Sequence, residues 1–125
     1  MSEEPSILFF AKSSLTSNAF LSMLKKQGFL AHLVEQSTQL TSMLMQRTVS
    51  TVIVSMDDDE TESLSVIESI TSQNPAIAIL AITASPQTAH VSQALELGAR
   101  DYFVQPIQDW MRFYHILRQS QHLST

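Results

Sequence analysis

The stretch ALELGARDYFVQPI, residues 94–107, decides how this chain is read. Val91, Ala94 and Leu95 recur at helical spacing and are expected to face inward. Gly98 can take the left-handed backbone that ends a helix. Tyr102-Phe103-Val104 is a short run of β-formers, and Pro106, which has no N–H to donate, marks the end of that strand. A helix, a tight turn and a strand therefore fit into fourteen residues, with a glutamine, Gln105, immediately before the proline.

The same unit repeats upstream. Ile7-Leu8-Phe9-Phe10 is apolar without alternation, the pattern of a strand buried on both faces. The helix expected over Leu15–Lys26 carries Ala19, Phe20, Met23 and Leu24 on one face. Lys25 and Lys26 lie in its last turn, where cations favour the helix dipole, and Gly28 follows as a left-handed cap. Leu30–Val34 reads as a second strand, and Leu40, Met43 and Leu44 as a short second helix. Val52–Val54 reads as a third strand. The acids DDDE at 57–60 then precede a helix carrying Leu64, Ile67 and Ile70, which Asn74-Pro75 breaks. Ile77–Ile82 is a fourth strand closed by Thr83-Ala84. Ser85-Pro86 has the form of an N-cap followed by proline at the first helical position. Asp109 can cap a last helix with Trp110, Phe113 and Leu117 on one side.

Five strands alternate with five helices, so a parallel sheet covered on both faces is expected. With right-handed crossovers, the fold class is α/β: a three-layer α/β/α sandwich with a five-stranded parallel sheet of order 2-1-3-4-5, flavodoxin-like. Ligands of such sheets bind at the carboxyl ends of the strands, near the switch point between strands 1 and 3. The loops of interest are therefore AKSS at 11–14, SMDDD at 55–59, TASP at 83–86 and QPIQ at 105–108.

Bulk properties narrow the function classes. The 125 residues suit one domain over 1–125 with one core. The polar end QSQHLST can be a frayed terminus or the start of a linker to a further domain. Hydrophobic residues make up 44 % and charged residues 15 %, as in a packed globule. The longest apolar run, AIAILAI at 76–82, is too short to span a bilayer. The start, MSEEPS, lacks the basic and apolar regions of a signal peptide. There is no cysteine, which fits a cytoplasmic protein. The net charge is −5 with only seven Lys and Arg, so direct nucleic-acid binding is not expected. His32, His90, His115 and His122 show no ligand spacing and read as surface or half-buried residues. No metal, cofactor or membrane association is expected.

Over nearly its whole length the chain resembles the receiver domain of two-component response regulators. ALELGARDYFVQPI is similar to that family's helix four, Gly-Ala turn, aromatic strand five and Lys-Pro ending. Positions 83 and 105 are 22 residues apart, matching the family's interval from its switch Thr or Ser to its Lys. The resemblance implies four groups at the strand ends: two acids after strand one that hold Mg²⁺, an acceptor Asp after strand three, a Thr or Ser after strand four, and a Lys after strand five. The last two contact phosphoryl oxygens. Mg²⁺ needs hard anionic oxygens, and a transferring phosphoryl group needs its charge neutralised.

Carried over residue by residue, the acid pair falls on Ala11 and Lys12. The acceptor falls on Met56, or on Ser55 if the alignment slips by one. The Lys falls on Gln105, which is expected to keep a polar contact and the turn into Pro106 without the charge. Only Thr83 is retained, with Tyr102 at the place of the aromatic switch residue. The resemblance thus implies a degenerate receiver that does not catalyse phosphoryl transfer by the usual route. Its expected role is a phosphorylation-independent interaction module, working with a protein partner or a fused output domain, or as a homodimer. The expected interaction face comprises Ala94, Tyr102, Val104, Trp110 and Tyr114.

Alternatives stand beside this reading. Asp57, or Asp58, can serve as a shifted acceptor. The acids 57–59 can equally be a solvated loop at a helix N-terminus. Lys12 can pair with Asp57 or Asp58 as a built-in cation, or lie exposed. KSSLTSN can cradle a phosphate at a helix N-terminus, which would make the chain a small-ligand protein, although it contains no glycine.

Overall fold

The computed structural model describes residues 4–85 and 87–123. Strands β1 (Ser6–Phe10), β2 (Ala31–Val34), β3 (Val49–Ser55), β4 (Ala78–Thr83) and β5 (Asp101–Val104) alternate with helices α1 (Leu15–Lys26), α2 (Ser37–Gln46), α3 (Glu60–Gln73), α4 (Thr88–Leu97) and α5 (Trp110–Leu123). The strands form one sheet of order β2-β1-β3-β4-β5. All four pairings are parallel; Phe9, for example, lies between Leu33 of β2 and Ile53 of β3. This is the expected α/β sandwich.

Strand alternation divides the core into two. Ile7 and Phe9 of β1, Ile53 of β3, Leu80 and Ile82 of β4 and Phe103 of β5 face α1 and α5. Leu8 and Phe10, Val52 and Val54, and Ile79 and Ala81 face α2, α3 and α4. The first side is aromatic, with Phe113 meeting Phe103 edge-on at 4.8 Å and Phe20 at 5.6 Å. Burial on both faces explains why these strands read as unbroken apolar runs.

Helix ends follow the glycines. At Gly28, φ is +91°, and Phe29 N–H reaches Leu24 O while Gly28 N–H reaches Lys25 O. Ala99 and Gly98 make the same two bonds to Ala94 and Leu95. Both are the paired closure that satisfies the last carbonyls of a helix. At the other ends, Ser14 and Ser17 form a reciprocal cap on α1, and Asp109 accepts from Arg112 N–H at 3.0 Å to open α5.

Several local expectations need correction. In α1 the buried face is Ser17, Phe20 and Leu24; Ala19 is exposed and Met23 is 37 % exposed. Strand β3 starts three residues early, at Val49, because Ser50 and Thr51 are buried with their hydroxyls in contact at 3.2 Å. Helix α4 starts at Thr88 after Gln87. Ser85 does not cap it, since its N–H is turned back onto the Thr83 hydroxyl; Pro86 lies outside the described residues. Ala94 is fully buried on α4, but Leu95 is 41 % exposed. A small residue brings that helix close to the sheet, and its neighbour, one step of about 100° around the helix, turns outward.

Candidate functional site

The carboxyl ends of β1, β3 and β4 converge, and the consecutive acids after β3 meet three different partners there. Asp57 accepts the Thr83 hydroxyl on Oδ1 at 2.6 Å and the Ala84 N–H on Oδ2 at 2.8 Å. Asp58 accepts the Lys12 N–H at 3.0 Å. Asp59 caps α3 by accepting the Glu62 N–H at 3.1 Å. The run is therefore not simply a solvated loop: each carboxylate satisfies backbone or hydroxyl donors of a different segment. Adjacent residues point in different directions, so one short run ties β4–α4, β1–α1 and its own helix together.

The loop after β1 is saturated from within. Besides Lys12 N–H, the N–H of Ser13 bonds Glu35 Oε1 at 2.8 Å, that of Ser14 bonds Ser17 Oγ, and that of Ser17 bonds Ser14 Oγ. An anion at this helix start would have to displace these partners, which removes the geometric basis for a phosphate cradle in KSSLTSN. The Lys12 ammonium reaches the Glu35 carbonyl at 3.3 Å. The contact between Lys12 and the acids runs instead through its backbone N–H, so of the two alternatives for Lys12, a side-chain ion pair with Asp57 or Asp58 and an exposed side chain, the structure shows the second. Glu35 escaped the sequence reading; its only signal is a polar residue directly after a strand at the end of the sheet where loops gather.

The positions assigned by resemblance have mostly become packing. Ala11 belongs to the core facing α1 and α5, and Met56, 9 % exposed, to the core facing α2–α4. Met56 N–H continues the ladder to Ile82 O at 2.9 Å. Ser55 is buried, and its carbonyl accepts the Ser63 hydroxyl at 2.7 Å. These residues do not fit a divalent cation of the Mg²⁺ type, which needs several hard oxygens; a methyl group and a thioether stand where acids would be required. Among the described residues no three His, Cys, Asp or Glu side chains converge as a metal site.

Gln105 is joined to Pro106 by a cis peptide bond, and its N–H donates to Thr83 O at 2.8 Å. The contact with Thr83 thus runs through the backbone. The residue lines an apolar hollow of about 360 Å³ with Phe20, Met23, Ile107 and Trp110. A separate cleft of about 470 Å³ is lined by Met56, Asp57, Thr83, His90 and Tyr102. His90 Nε2 meets Glu60 Oε2 at 2.8 Å across this cleft, linking α4 to α3. His32 accepts Arg47 Nη1 at 3.1 Å. Burial, with Arg47 and Lys25 nearby, lowers its pKa.

The expected interaction face is partly corrected. Tyr102 and Val104 are 36 % and 42 % exposed, but Ala94 is 0 % and Tyr114 8 % exposed. Tyr114 is packed against Phe29 and Trp110, so neither residue can offer a contact surface. Trp110 is half-buried against Phe20 and Phe113. Exposed Leu95 and Met111 stand in α4 and α5 on either side of β5 in the chain.

The family model "Response regulator receiver domain" matches residues 12–112. No curated protein sequence matches the chain. Among solved structures, the receiver domain of an HD domain-containing protein from Pseudomonas fluorescens Pf-5 superposes with a TM-score of 0.83 at 20 % identity, covering 98 % of both chains. HP1043, an orphan response regulator of H. pylori, gives 0.75 at 22 %, covering 94 % of this chain and 96 % of that one. An atypical orphan response regulator described as having a phosphorylation-independent regulatory mechanism gives 0.75 at 22 %, covering 94 % and 95 %. At these identities the likeness is one of fold. No helix among the described residues is long and apolar enough to cross a membrane.

Proposed function

This chain belongs to the response regulator receiver domain family, and from that premise we propose that it signals without phosphorylation, as one interaction domain over residues 1–125. It acts in the cytoplasm and is read by a protein partner, a fused output domain or a second copy of itself. The observation that carries this reading is the burial of Ala11 and Met56 in opposite cores, where the resemblance calls for a metal-binding acid and an acceptor. Neither side chain can hold a cation or form an acyl phosphate. The phosphorylation-independent mechanism described for one fold neighbour supports the same direction.

Asp57 as a shifted acceptor is less well supported. Its two oxygens are in direct contact with the Thr83 hydroxyl and the Ala84 N–H. A phosphoryl group inserted there would have to push the β4–α4 connection away. The partner is expected on the face carried by Tyr102 and Val104, flanked by Leu95. It must bind one arrangement of that face better than another for any signal to pass.

The test is incubation with acetyl phosphate and Mg²⁺, read by intact mass, and with beryllofluoride and Mg²⁺, read by amide spectra. No mass gain and no saturable spectral change are expected. A stoichiometric phosphoryl adduct on any aspartate would end the proposal.

A further inference from the structure

We propose that the Asp57 carboxylate is a tethered internal anion: it fills the recess between Thr83 and Ala84 and holds the β4–α4 connection in the state a bound phosphoryl group would impose. This rests on the reading that the domain is not phosphorylated, and it names what sets the domain's state in place of phosphate.

The recess is defined by its donors. The Thr83 hydroxyl accepts the Ser85 N–H at 3.1 Å and donates to Asp57 at 2.6 Å, so its direction is fixed from both sides. The Ala84 N–H supplies the second donor at 2.8 Å. A short bond to an ionised oxygen together with a second from backbone is the pattern of a charge-assisted anion site. Thr83 itself cannot drift, because β4 holds it opposite Val104 and its carbonyl accepts the Gln105 N–H. What can respond to an anion is therefore its hydroxyl and the chain that follows.

The carboxylate is presented from a rigid support. On one side, Met56 is packed in the core and hydrogen-bonded to β4. On the other, Asp59 caps α3. The next residue, Glu60, reaches His90 on α4 at 2.8 Å, so the segment from Asp57 to Glu60 holds Thr83 and Ala84 at one point and the first turn of α4 at another. Tyr102 lines the same cleft and is half-exposed on β5, which makes it the route from the recess to the outer face.

The experiment uses the full chain labelled with ¹⁵N, as wild type, Asp57→Ala, Asp57→Asn and Asp58→Ala, each titrated with inorganic phosphate. Asp57→Ala is expected to shift the amides of Ala84, Ser85, His90 and Tyr102. Phosphate should then move them saturably back toward their wild-type positions. Wild type should show no saturable phosphate response there, and Asp58→Ala should disturb Lys12 while leaving Ala84 and Tyr102 in place. Asp57→Asn keeps the size and removes the charge; should the alanine variant fail to fold, Asp57→Ser empties the recess and carries the same phosphate test, while Asp57→Asn should shift Ala84 and Tyr102 without a phosphate response. Shifts confined to residues 56–58, or a phosphate response in wild type equal to that of the alanine or serine variant, would overturn the inference. Phosphorylation of wild type by acetyl phosphate would instead remove the functional reading beneath it, so the two failures are distinguishable.

Discussion

Replacing Met56 by aspartate writes a carboxylate into the position that the family resemblance assigns to the acceptor. The structure predicts a stability cost with no gain of chemistry. Met56 is 9 % exposed and packs with the residues beneath α3 and α4. Losing that burial costs roughly 1.5–3 kcal/mol, and the new charge beside Asp57 adds to it. We expect Met56→Asp to be about 3 kcal/mol less stable, equivalent to roughly 10 °C in Tm for a domain of this size. Met56→Leu should lose less than about 1.5 kcal/mol, since it conserves volume. Urea unfolding followed by circular dichroism measures both. Intact mass after incubation with acetyl phosphate and Mg²⁺ should show no adduct on Met56→Asp, because Ala11 offers no oxygen to a cation. Unchanged stability would refute the claim that this strand end has been converted into core. A phosphoryl adduct on the single variant would refute the claim that the metal site is lost.

Gly98→Ala is expected to cost about 2–4 kcal/mol by denaturant unfolding, combining a backbone strained for any other residue with overpacking. Here φ is +129°, and an added Cβ would lie 2.8 Å from Thr71 Cβ and 2.1 Å from its Oγ1, so side-chain rotation alone cannot relieve the clash. His32 gives a pH dependence. Its pKa is lowered from 6.5 in the folded chain, chiefly by burial, so its contribution to stability is full above that unfolded value and is lost as pH falls through the lowered one. The stability difference between wild type and His32→Gln should therefore shrink as pH falls below 6.5; a difference independent of pH would contradict this.

The layered fold is legible because β1 and β4 are apolar on both faces and several turns carry their own marker. Gly28 and Gly98 fixed two helix ends, and Ile7–Phe10 fixed a central strand. Legibility failed where burial is achieved by polar residues, as at Ser50 and Thr51: the Ser50 hydroxyl reaches Ser6 O only once β1 is in place, and Thr51 bonds Ser50 in turn. It also failed for the aim of loop side chains. Thr83 and Asp57 are 26 residues apart, and Lys12 and Asp58 are 46 apart. No local pattern says that three adjacent carboxylates will turn to two different loops and the helix that follows. Most of the gathered residues are therefore readable in the sequence, Glu35 excepted, but their bonding is not: Asp57 reads as an acceptor and Lys12 as a cation, whereas one is held by Thr83 and Ala84 and the other meets Asp58 through its peptide nitrogen.

Both margins of the sheet are short. β2 and β5 contain four residues each, and Pro106 stands two positions beyond the end of β5. At the start of β5, Asp101 is engaged by Arg112. Long, flat, unpaired margins are what allow chains to zip together, and this domain has none to offer. Recognition at β5 must then depend on the shape and chemistry of projecting side chains such as Tyr102 and Val104, and copies of the domain have little means of stacking into a continuous ribbon.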